Sequence, residues 1–336
     1  MKCNPHVPLS VPLSALLSIL LLSLLVPLRA SAQDAAANFP VRPVTVIAAT
    51  SPGGPTEHEV RLYLIKMTEL MGKSFVMDFK AGAGNVIGSN YVAKSTPDGY
   101  TLLIVPSTFT AMKATVRDLP FDPLNDLTAV SQMSQRSTVL VVNSGLPIHD
   151  MKEYIAYARA NPGKLNHGDA GVGGSSHLAA AWLSSATGIQ VTYVHYKGTG
   201  PATLDLIAGR VDTVMESLTT MFPHIKSGKV RAIAITGNRR SPVLPDLPTV
   251  AEQAVPGFNF TSWLGIVAPA ATPPAIVNKL GQNFSITAKS PEVVRVLEPE
   301  GNIMVGSLPA EFKQLIQAEA ERWRKVVLDA DIHFEE

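Results

Sequence analysis

Two glycine-rich segments contain the residues of this chain best suited to binding chemistry. The first comprises Ser51, Pro52, Gly53, Gly54, Pro55 and Thr56, and the second runs from Gly168 to His177. Each segment precedes a helical pattern, so each leaves unpaired N–H groups at a helix start beside glycines that let a ligand approach the backbone. Two such loops facing each other across a cleft would direct two helix N-termini at one anionic ligand.

The residues around the first loop predict a strand, a turn and a helix. The run from Val44 to Ile47 suits a strand, and apolar residues from Val60 to Met71 recur at three- and four-residue spacings until Gly72 ends the pattern. Thr56 and Glu59 have the spacing of a capping box.

A simpler interpretation of each loop stays open. Glycine commonly serves only to reach positive φ in a tight turn. Ser175 or Ser176 with His177 would be the best candidate for a nucleophilic pair, but adjacent residues seldom turn their side chains toward each other. We therefore expect His177 to cap or pack the loop.

Three further side chains allow two interpretations each. Lys197 follows a strand, where it either faces a ligand or is an ordinary surface lysine. Trp263 and Tyr100 either line a cleft or pack in the core, and core packing is favoured for both.

Sequence motifs of several enzyme classes are missing from the chain. The segment from Gly82 to Gly88 has the third glycine of a dinucleotide fingerprint displaced, and the segment from Gly171 to Ser176 lacks it. The chain contains no G-x-S-x-G elbow, Walker loop or H-E-x-x-H helix. The sequence therefore predicts no catalytic residue, no cofactor and no metal site.

The first 32 residues have the pattern of a signal peptide. Lys2 precedes an apolar run from Leu13 to Val26, and the segment ends in the small-x-small site Ala30-Ser31-Ala32. We expect cleavage near Ala32, export to the periplasm and a mature chain that begins near Gln33. The alternative is an uncleaved anchor helix.

Composition limits the classes of partner. Without the signal segment, which carries Lys2, Arg29 and no acid, 26 basic side chains face 27 acidic ones over 304 residues. A net charge near −1 argues against nucleic acid and anionic membrane as partners. Cys3, the only cysteine of the chain, leaves with the signal segment, which excludes disulfides and thiolate chemistry in the mature protein. The length of the mature chain, 304 residues, suits two lobes.

Short apolar runs alternate with helical patterns along the chain, which predicts an α/β fold with parallel sheets. The predicted strands are 75–77, 101–105, 139–142, 165–167, 190–194, 213–215, 232–236 and 263–268. Helices are predicted at Met151 to Ala160, Leu178 to Thr187 and Pro309 to Asp329, the last with one apolar face for docking.

Two extended runs, Val139 to Asn143 and Thr261 to Ala268, are predicted to cross between the lobes. The predicted organisation is a signal peptide at 1–32, a first lobe from 33–141 and 263–336, and a second lobe from 142–262. Each lobe would resemble a Rossmann unit, and ligands bind such sheets at the carboxyl ends of the strands.

A set of motifs in a fixed order resembles one receptor family. These are S-P-G-G-P-T, A-G-A-G-N, P-D-G-Y-T-L-L, L-P-F-D-P, G-x-x-G-x-G-G-S-S-H-L, Y-K-G-x-x-P-A, L-P-x-L-P-T-V-A-E and A-P-A-x-T-P-P. In combination they resemble Bug-type extracytoplasmic solute receptors, the substrate-binding proteins of tripartite tricarboxylate transporters. The resemblance covers Phe39 to about Asp329 and implies a two-lobed periplasmic binding protein of type II that binds without catalysis. The absence of enzyme motifs favours a monomer that acts alone.

The resemblance also implies how a ligand would be held. In this family a carboxylate is typically bound by backbone amides, hydroxyls and ordered waters of the two loops. Carried over by position, this implicates Pro52, Gly53, Gly54, Thr56, Ser107, Gly171, Ser175 and Ser176. The full set of predicted ligand-binding residues adds Thr50, Ser51, Asp169, His177 and Glu216.

Several positions depart from the family pattern and bear on the cargo. Thr50 replaces an aromatic residue, Pro55 a small residue, Glu57 an aspartate, Asp169 a serine or threonine, and Glu216 an aspartate or glycine. A carboxylate at Asp169 that pointed into the cleft would repel a ligand carboxylate. An amino acid, an amide or an aromatic acid is therefore predicted as an alternative to a plain dicarboxylate.

Two other functions stay open at this point. The ligand-bound form could dock on the periplasmic domain of a sensor kinase instead of feeding a transporter, and an exported enzyme is the third hypothesis. Pull-down with and without ligand separates the first two. Recovery of bound ligand chemically unchanged excludes the third.

Overall fold

The computed structural model describes residues 36–50, 52, 55–330 and 332. The strands are β1 (Val44–Ala48), β2 (Phe75–Phe79), β3 (Thr101–Pro106), β4 (Leu127–Arg136), β5 (Thr138–Asn143), β6 (Asn166–Asp169), β7 (Thr192–His195), β8 (Thr213–Ser217), β9 (Val230–Ile235), β10 (Ser262–Pro269) and β11 (Asn302–Met304). The predicted signal segment lies outside the described residues. No helix within them combines the length and apolarity needed to cross a membrane.

Helices cover both sheets. They are α1 (Pro55–Met71), α2 (Val86–Ala93), α3 (Met112–Thr115), α4 (Met151–Ala160), α5 (Ser175–Thr187), α6 (Thr199–Ile207), α7 (Leu218–Lys226), α8 (Val250–Gln253), α9 (Pro274–Ala288), α10 (Pro291–Leu297) and α11 (Pro309–Asp329). Two 3-10 turns, Ala83–Asn85 and Ser107–Ala111, follow β2 and β3.

The strands form two sheets. One has the order β11-β4-β10-β3-β1-β2 and the other β7-β6-β8-β5-β9. The strands β1, β2 and β3 pair in parallel, as do β6, β7 and β8. Because β10 in one sheet and β5 in the other run antiparallel to their neighbours, both sheets are mixed. Two mixed sheets covered by helices confirm the predicted α/β fold class. The prediction of parallel sheets holds only for the pairing among β1 to β3 and among β6 to β8, because β4, β5, β9, β10 and β11 pair antiparallel with their neighbours.

The chain passes between the sheets twice at neighbouring points. Strand β4 ends at Arg136 and β5 begins at Thr138, so the first passage is at Ser137. The second passage precedes Ser262, which pairs with Arg136. The predicted lobe limits stay a proposal; the limit between residues 141 and 142 falls within β5, and that between 262 and 263 falls at the start of β10.

Both passages lie at the carboxyl ends of parallel strands. Because β3 and β4 are both antiparallel to β10, Arg136 lies at the same edge as the ends of β1 and β3. In the second sheet Thr138 pairs with Ser217, the last residue of β8. The carboxyl edges of the two sheets are therefore turned toward each other, and that is where helix N-termini gather and α/β proteins bind ligands.

The last helix, α11, packs against both lobes. Phe312 and Ile316 belong to a core cluster on the first sheet. Trp323 and Val326, which begin about two turns after Ile316, belong to a cluster on the second sheet. The predicted apolar face is confirmed.

Strand β4 was missing from the predicted strands because buried polar side chains obscure its pattern. Ser131 and Ser134 are at most 1% exposed. The Ser131 hydroxyl donates to the Ser307 carbonyl at 2.7 Å, and the Ser307 hydroxyl accepts from the Gln132 amide at 2.9 Å. Polar groups satisfied by a distant loop are compatible with a buried strand, but hydrophobic periodicity does not reveal them.

The predicted capping box at Thr56 and Glu59 is wrong. The helix α1 begins one residue earlier, at Pro55, and Glu59 is buried. Its carboxylate accepts from the Ser134 hydroxyl and, at 2.9 Å, from the Arg136 guanidinium. Burial raises the pKa of Glu59, and the two contacts with Ser134 and Arg136 oppose that rise. Glu59 thus links α1, the helix after the first loop, to β4, the strand that ends at the first passage between the sheets.

Candidate functional site

The second glycine-rich loop joins β6 to α5 and is held by its own hydrogen bonds. The Gly171 amide donates to the Asp169 carboxylate at 2.8 Å, and the Ala170 amide donates to the Ser176 hydroxyl at 3.0 Å. The Gly174 amide closes a turn on the Gly171 carbonyl at 3.0 Å. Gly171 has φ +110°, in the region that favours glycine.

The N-terminus of α5 has the donors that the sequence predicts. Gly174 is the N-cap residue, and no side chain caps the helix among the described residues. The first amide bonded within the helix is that of Leu178, which donates to the Gly174 carbonyl at 3.0 Å. The amides of Ser175, Ser176 and His177 are therefore left for another acceptor, and an anion is the acceptor such a helix end favours.

His177 packs the loop, as expected. It is buried, and its Nδ1 accepts the Gly173 amide at 3.0 Å. Its ring lies 4.8 Å from that of Tyr193. Burial lowers the pKa of His177, with the Asp169 charge opposing this and His195 adding to it. Since Ser176 bonds the loop amide and Nδ1 is occupied by Gly173, the serine–histidine pair considered above is not formed.

Asp169 is fully buried and paired with a residue that the predicted site did not include. Both of its oxygens lie near Nδ1 of His195, at 2.9 and 3.0 Å. The two residues are in register at the carboxyl ends of β6 and β7. The prediction of an ammonium or amide cargo assumed an unpaired carboxylate facing the cleft, and this pairing removes that assumption. The sequence signal for this pair was a polar residue at the end of each of two neighbouring strands, Asp169 in β6 and His195 in β7.

Three groups in this region have the spacing of a metal site. Asp169, His177 and His195 offer ligand atoms within 4.8 Å of one another. However, Nδ1 of His177 accepts an N–H bond, so a neutral ring carries its proton on Nε2, and that nitrogen has no lone pair for a metal. The hydrogen bonds therefore favour a polar network over metal ligation.

In the first lobe, the loop after β1 is only partly described. Ser51, Gly53 and Gly54 lie outside the described residues, whereas Thr50 and Pro52 are exposed and Thr56 is half-buried. Gly88 of α2 fixes the start of this loop: a Cβ there would lie 2.7 Å from the Ala49 Cβ and 2.9 Å from the Lys80 carbonyl. Only glycine permits this close approach.

A third loop, from Gly82 to Asn85 after β2, has an unusual backbone. Ala83 and Asn85 have φ values of +45° and +77°, between and beside glycines that are also left-handed. Non-glycine residues in this region carry strain of about 1 kcal/mol or more each, and such residues cluster at functional sites. This loop follows β2 at the carboxyl edge of the first sheet, and the predicted ligand-binding residues do not include it.

Two predicted site residues, Ser107 and Glu216, lie at the carboxyl ends of strands, one in each sheet. Ser107 begins the 3-10 turn after β3 and is buried, and its carbonyl accepts the Thr110 hydroxyl at 2.8 Å. Glu216, half-buried near the end of β8, accepts the Ser217 amide at 2.6 Å. Its other carboxylate oxygen has no hydrogen-bond partner within the described part of the chain.

The side chains with two open interpretations are now placed. Lys197 is exposed just beyond β7. Trp263 is 2% exposed and packs edge-on against Phe312, with ring centroids 5.3 Å apart. The Tyr100 hydroxyl accepts the Val41 amide at the amino end of β3, away from the carboxyl edge. Core packing is confirmed for Trp263, and Tyr100 is partly buried against the core of the first sheet.

A threonine pair ties the two passages together. The hydroxyls of Thr138 and Thr236 hydrogen-bond to each other, and they contact the Phe260 carbonyl at 3.0 and 2.9 Å. Both segments are thus joined at the edge of the second sheet, as expected of a hinge made of two strands.

Comparison with known proteins extends this picture. Residues 60–332 match the family described as "Tripartite tricarboxylate transporter family receptor". BugT of Bordetella pertussis (strain Tohama I) is 33% identical over 299 residues, which is 88% of this chain and 92% of BugT.

Two solved structures from Rhodopseudomonas palustris are similar over the whole fold. One, with adipate, has a TM-score of 0.72 and 34% identity, and the match covers 88% of this chain and all of the other. The other, MatC with bound malate, has a TM-score of 0.69 and 32% identity, and the match covers 86% of this chain and all of MatC. These relatives and structural neighbours are solute-binding receptors rather than enzymes. The family match and the two-sheet fold agree with the resemblance found in the motifs, and the chain belongs to the tripartite tricarboxylate transporter receptor family, which includes the Bug proteins.

Proposed function

We propose that this protein captures a small organic carboxylate between its two lobes and delivers it to the membrane subunits of a tripartite tricarboxylate transporter. One observation carries the proposal: the carboxyl edges of the two sheets face each other, with the uncapped N-terminus of α5 at one edge and the loop before α1 at the other. The adipate and malate bound by structural neighbours support a carboxylate as the cargo.

The ligand contacts are part of the proposal. They are the residues Thr50, Ser51, Pro52, Gly53, Gly54, Thr56 and Ser107 of the first lobe and Asp169, Gly171, Ser175, Ser176, His177 and Glu216 of the second. Charge-assisted hydrogen bonds contribute roughly 1.5 to 3 kcal/mol each. A micromolar Kd needs about 8 kcal/mol, so four or five such bonds, less the cost of ordering the loops, are sufficient.

Export to the periplasm is proposed from the signal pattern of residues 1–32, with cleavage near Ala32. The mature protein would act as a monomer that closes on its ligand. N-terminal sequencing of protein recovered from the periplasm tests the cleavage position.

A ligand screen tests the carboxylate proposal. Native mass spectrometry of freshly purified mature protein identifies co-purified ligand, and thermal unfolding is then followed with adipate, malate, succinate, benzoate, aspartate and glutamine. A ligand at 100 times its Kd stabilises the folded state by about 2.7 kcal/mol, which raises the Tm by several degrees. We expect this from at least one carboxylate. No shift with any of them, and no carboxylate in the mass spectrum, would contradict the proposal.

Delivery is tested separately. The ligand-bound protein should be retained by detergent-solubilised transporter membrane subunits, and the ligand-free protein should be retained less. Retention by a sensor kinase domain in place of the transporter would instead favour the signalling alternative.

A further inference from the structure

The 3-10 turn Ser107–Ala111, which begins with a predicted ligand contact, packs against the cores of both lobes. It directly follows β3, the neighbour of β1, so it begins at the sheet edge where the first glycine-rich loop also begins. Phe109 belongs to a core cluster on the first sheet, and Ala111 belongs to a cluster on the second. The conformation of this turn therefore concerns both the ligand site and the junction of the lobes.

The hydroxyl of Thr110 holds this turn and is shared between two acceptors. Thr110 is 2% exposed, and its Oγ1 accepts the Trp323 indole N–H at 3.1 Å. The same Oγ1 lies 2.8 Å from the Ser107 carbonyl oxygen and 3.1 Å from Oε2 of Glu319. A hydroxyl donates a single hydrogen, so a full bond to one of these acceptors weakens the bond to the other.

The charge of Glu319 decides which acceptor is preferred. A hydrogen bond to an ionised group is about twice as strong as one between neutral groups, so ionised Glu319 draws the Thr110 hydroxyl away from the Ser107 carbonyl. Neutral Glu319 leaves that hydroxyl to close the turn. Burial raises the pKa of Glu319 to about 7, although two hydrogen bonds and the charge of Arg322 oppose the rise. Both forms of Glu319 are therefore populated near neutral pH.

The surroundings of Glu319 contain one charged group that acts on it directly. This group is Arg322, which is on the same helix, α11. The side chains that contact Glu319 from the 3-10 turn and from β10 are Thr110 and Trp263, and neither titrates. Lys113 in α3, the helix that follows the turn, is exposed and paired with an aspartate at 2.6 Å. The charge of Glu319 therefore depends on its burial, on Arg322 and on the bonds that its carboxylate accepts.

We infer that Glu319 is a positioning residue of the ligand site: through the Thr110 hydroxyl it controls whether the turn that carries Ser107 is closed. This inference rests on the proposed function, in which Ser107 contacts the ligand. A closed turn holds Ser107 in place before the ligand arrives, so the protein binds a carboxylate more tightly when Glu319 is neutral. Affinity should therefore fall as the pH rises through the range in which Glu319 loses its proton.

Three variants and a control isolate this contact. Glu319→Gln keeps the shape and an acceptor oxygen but is neutral at every pH, Thr110→Val keeps the shape without the hydroxyl, and Thr110→Ser keeps the hydroxyl. Thr68→Val is the matched control. The Thr68 hydroxyl also donates to a carbonyl and accepts an N–H, with Leu64 at 2.8 Å and Phe75 at 3.0 Å, but it lies at the amino end of β2.

The measurement is isothermal titration of the mature protein with malate, or with the tightest carboxylate from the screen, at pH 6.5 and pH 8.5, where carboxylates are ionised. We expect the wild type to bind about fivefold more weakly at pH 8.5, which corresponds to about 1 kcal/mol. Glu319→Gln should bind at pH 8.5 about as tightly as the wild type does at pH 6.5. Comparison of the two pH profiles separates Glu319 from every other titrating group.

The hydroxyl variants test the path through Thr110. Thr110→Val should bind at pH 6.5 as weakly as the wild type does at pH 8.5, with little dependence on pH, and Thr110→Ser should restore both affinity and pH profile. Thr68→Val should lower the thermal stability and leave the affinity and its pH profile unchanged. Circular dichroism and thermal unfolding show whether each variant is folded, and Glu319→Gln decides the question if Thr110→Val is not.

The outcomes distinguish this inference from the proposed function. A wild-type pH profile in Glu319→Gln, or wild-type affinity in folded Thr110→Val, overturns the role of Glu319 and leaves the receptor function intact. If the wild type binds no carboxylate at either pH, the proposed function fails, and this inference fails with it.

Discussion

At the scale of single residues, Glu319 is a carboxyl group buried in the middle of α11, where that helix passes from one core to the other. Its Oε2 accepts the Trp263 indole N–H and the Thr110 hydroxyl, each at 3.1 Å. The Trp323 indole N–H donates to the same Thr110 hydroxyl at 3.1 Å. Burial raises the pKa of Glu319 to about 7, although these bonds and the charge of Arg322 oppose the rise.

This pKa predicts how stability depends on pH. The folded-state pKa lies above the unfolded value of 4.5, so the native state binds the proton more tightly. The resulting stabilisation is complete below about pH 4.5 and is lost as the pH rises through 7, with a total on the order of 3 kcal/mol. In Glu319→Gln the free energy of unfolding, measured with urea, should vary less between pH 5 and pH 8. An identical slope in wild type and variant would contradict this.

Some residues of the candidate site can be identified from the sequence, and others cannot. The unbonded amides of α5 follow from local composition, since Gly174, Ser175 and Ser176 precede a helical pattern. The partner of Asp169 does not, because His195 is 26 residues away and meets it only through the register of β6 and β7. Considered alone, the Asp169 carboxylate predicts repulsion of a ligand carboxylate. In the structure the same carboxylate instead holds the imidazole ring of His195 through Nδ1.

At the scale of elements, α11 connects the cores of the two lobes. The Trp323 ring packs edge-on against Trp182 and Phe260, with centroids 6.1 Å away in both cases. Trp182 stacks in turn on Phe258 at 4.1 Å. Both lobes therefore depend on the last helix for part of their core.

Truncating Trp323 tests this role. Trp323→Ala should lower the free energy of unfolding by about 3 to 5 kcal/mol, because it leaves a large cavity among aromatic rings and removes the indole N–H bond to Thr110. Leu328→Ala on the same helix is the control, since Leu328 is 66% exposed and its loss should change stability by less than about 0.5 kcal/mol. Urea unfolding measures the stability of both variants. Equal effects would show that the Trp323 contacts contribute no more to stability than an exposed side chain does.

Prediction of elements succeeded where one face is apolar and failed where burial is polar. The periodic face of α11 was identified from sequence because its apolar residues all meet a core. Strand β4 was missed because Ser131 and Ser134 are buried against Ser307 and Glu59, which lie far away along the chain. Such pairs form only once the sheet exists.

At the scale of the whole molecule, the two lobes also contact each other beside the two chain passages. The Thr219 hydroxyl in α7 donates to the Glu300 carbonyl at 3.3 Å, and Glu300 is also paired with His58 of α1. Gly301 has φ +84°, and a Cβ there would lie 1.9 Å from the Thr219 hydroxyl. This contact therefore depends on the absence of a side chain at residue 301.

Gly301→Ala should alter the arrangement of the lobes. Alanine at a left-handed position costs about 1 kcal/mol, and here its methyl group also pushes against Thr219. Gly228→Ala is the matched control, because Gly228 has φ +71° and open space around it. Gly301→Ala should lose at least as much stability as Gly228→Ala, because only Gly301→Ala adds a clash to the left-handed cost. Only Gly301→Ala should bind ligand several-fold more weakly and show a changed radius of gyration in solution scattering; equal affinities in the two variants would contradict this.

The sequence by itself determined the α/β class, the two glycine-rich loops, the apolar face of the last helix and the motifs of the receptor family, because each depends on residues close together in the chain. Only the tertiary structure decided that the two carboxyl edges face each other and that Asp169 is paired with His195. It also decided that Glu59 binds Arg136 instead of capping the start of α1. Those outcomes depend on strand register and burial, and both are set when distant segments pack together.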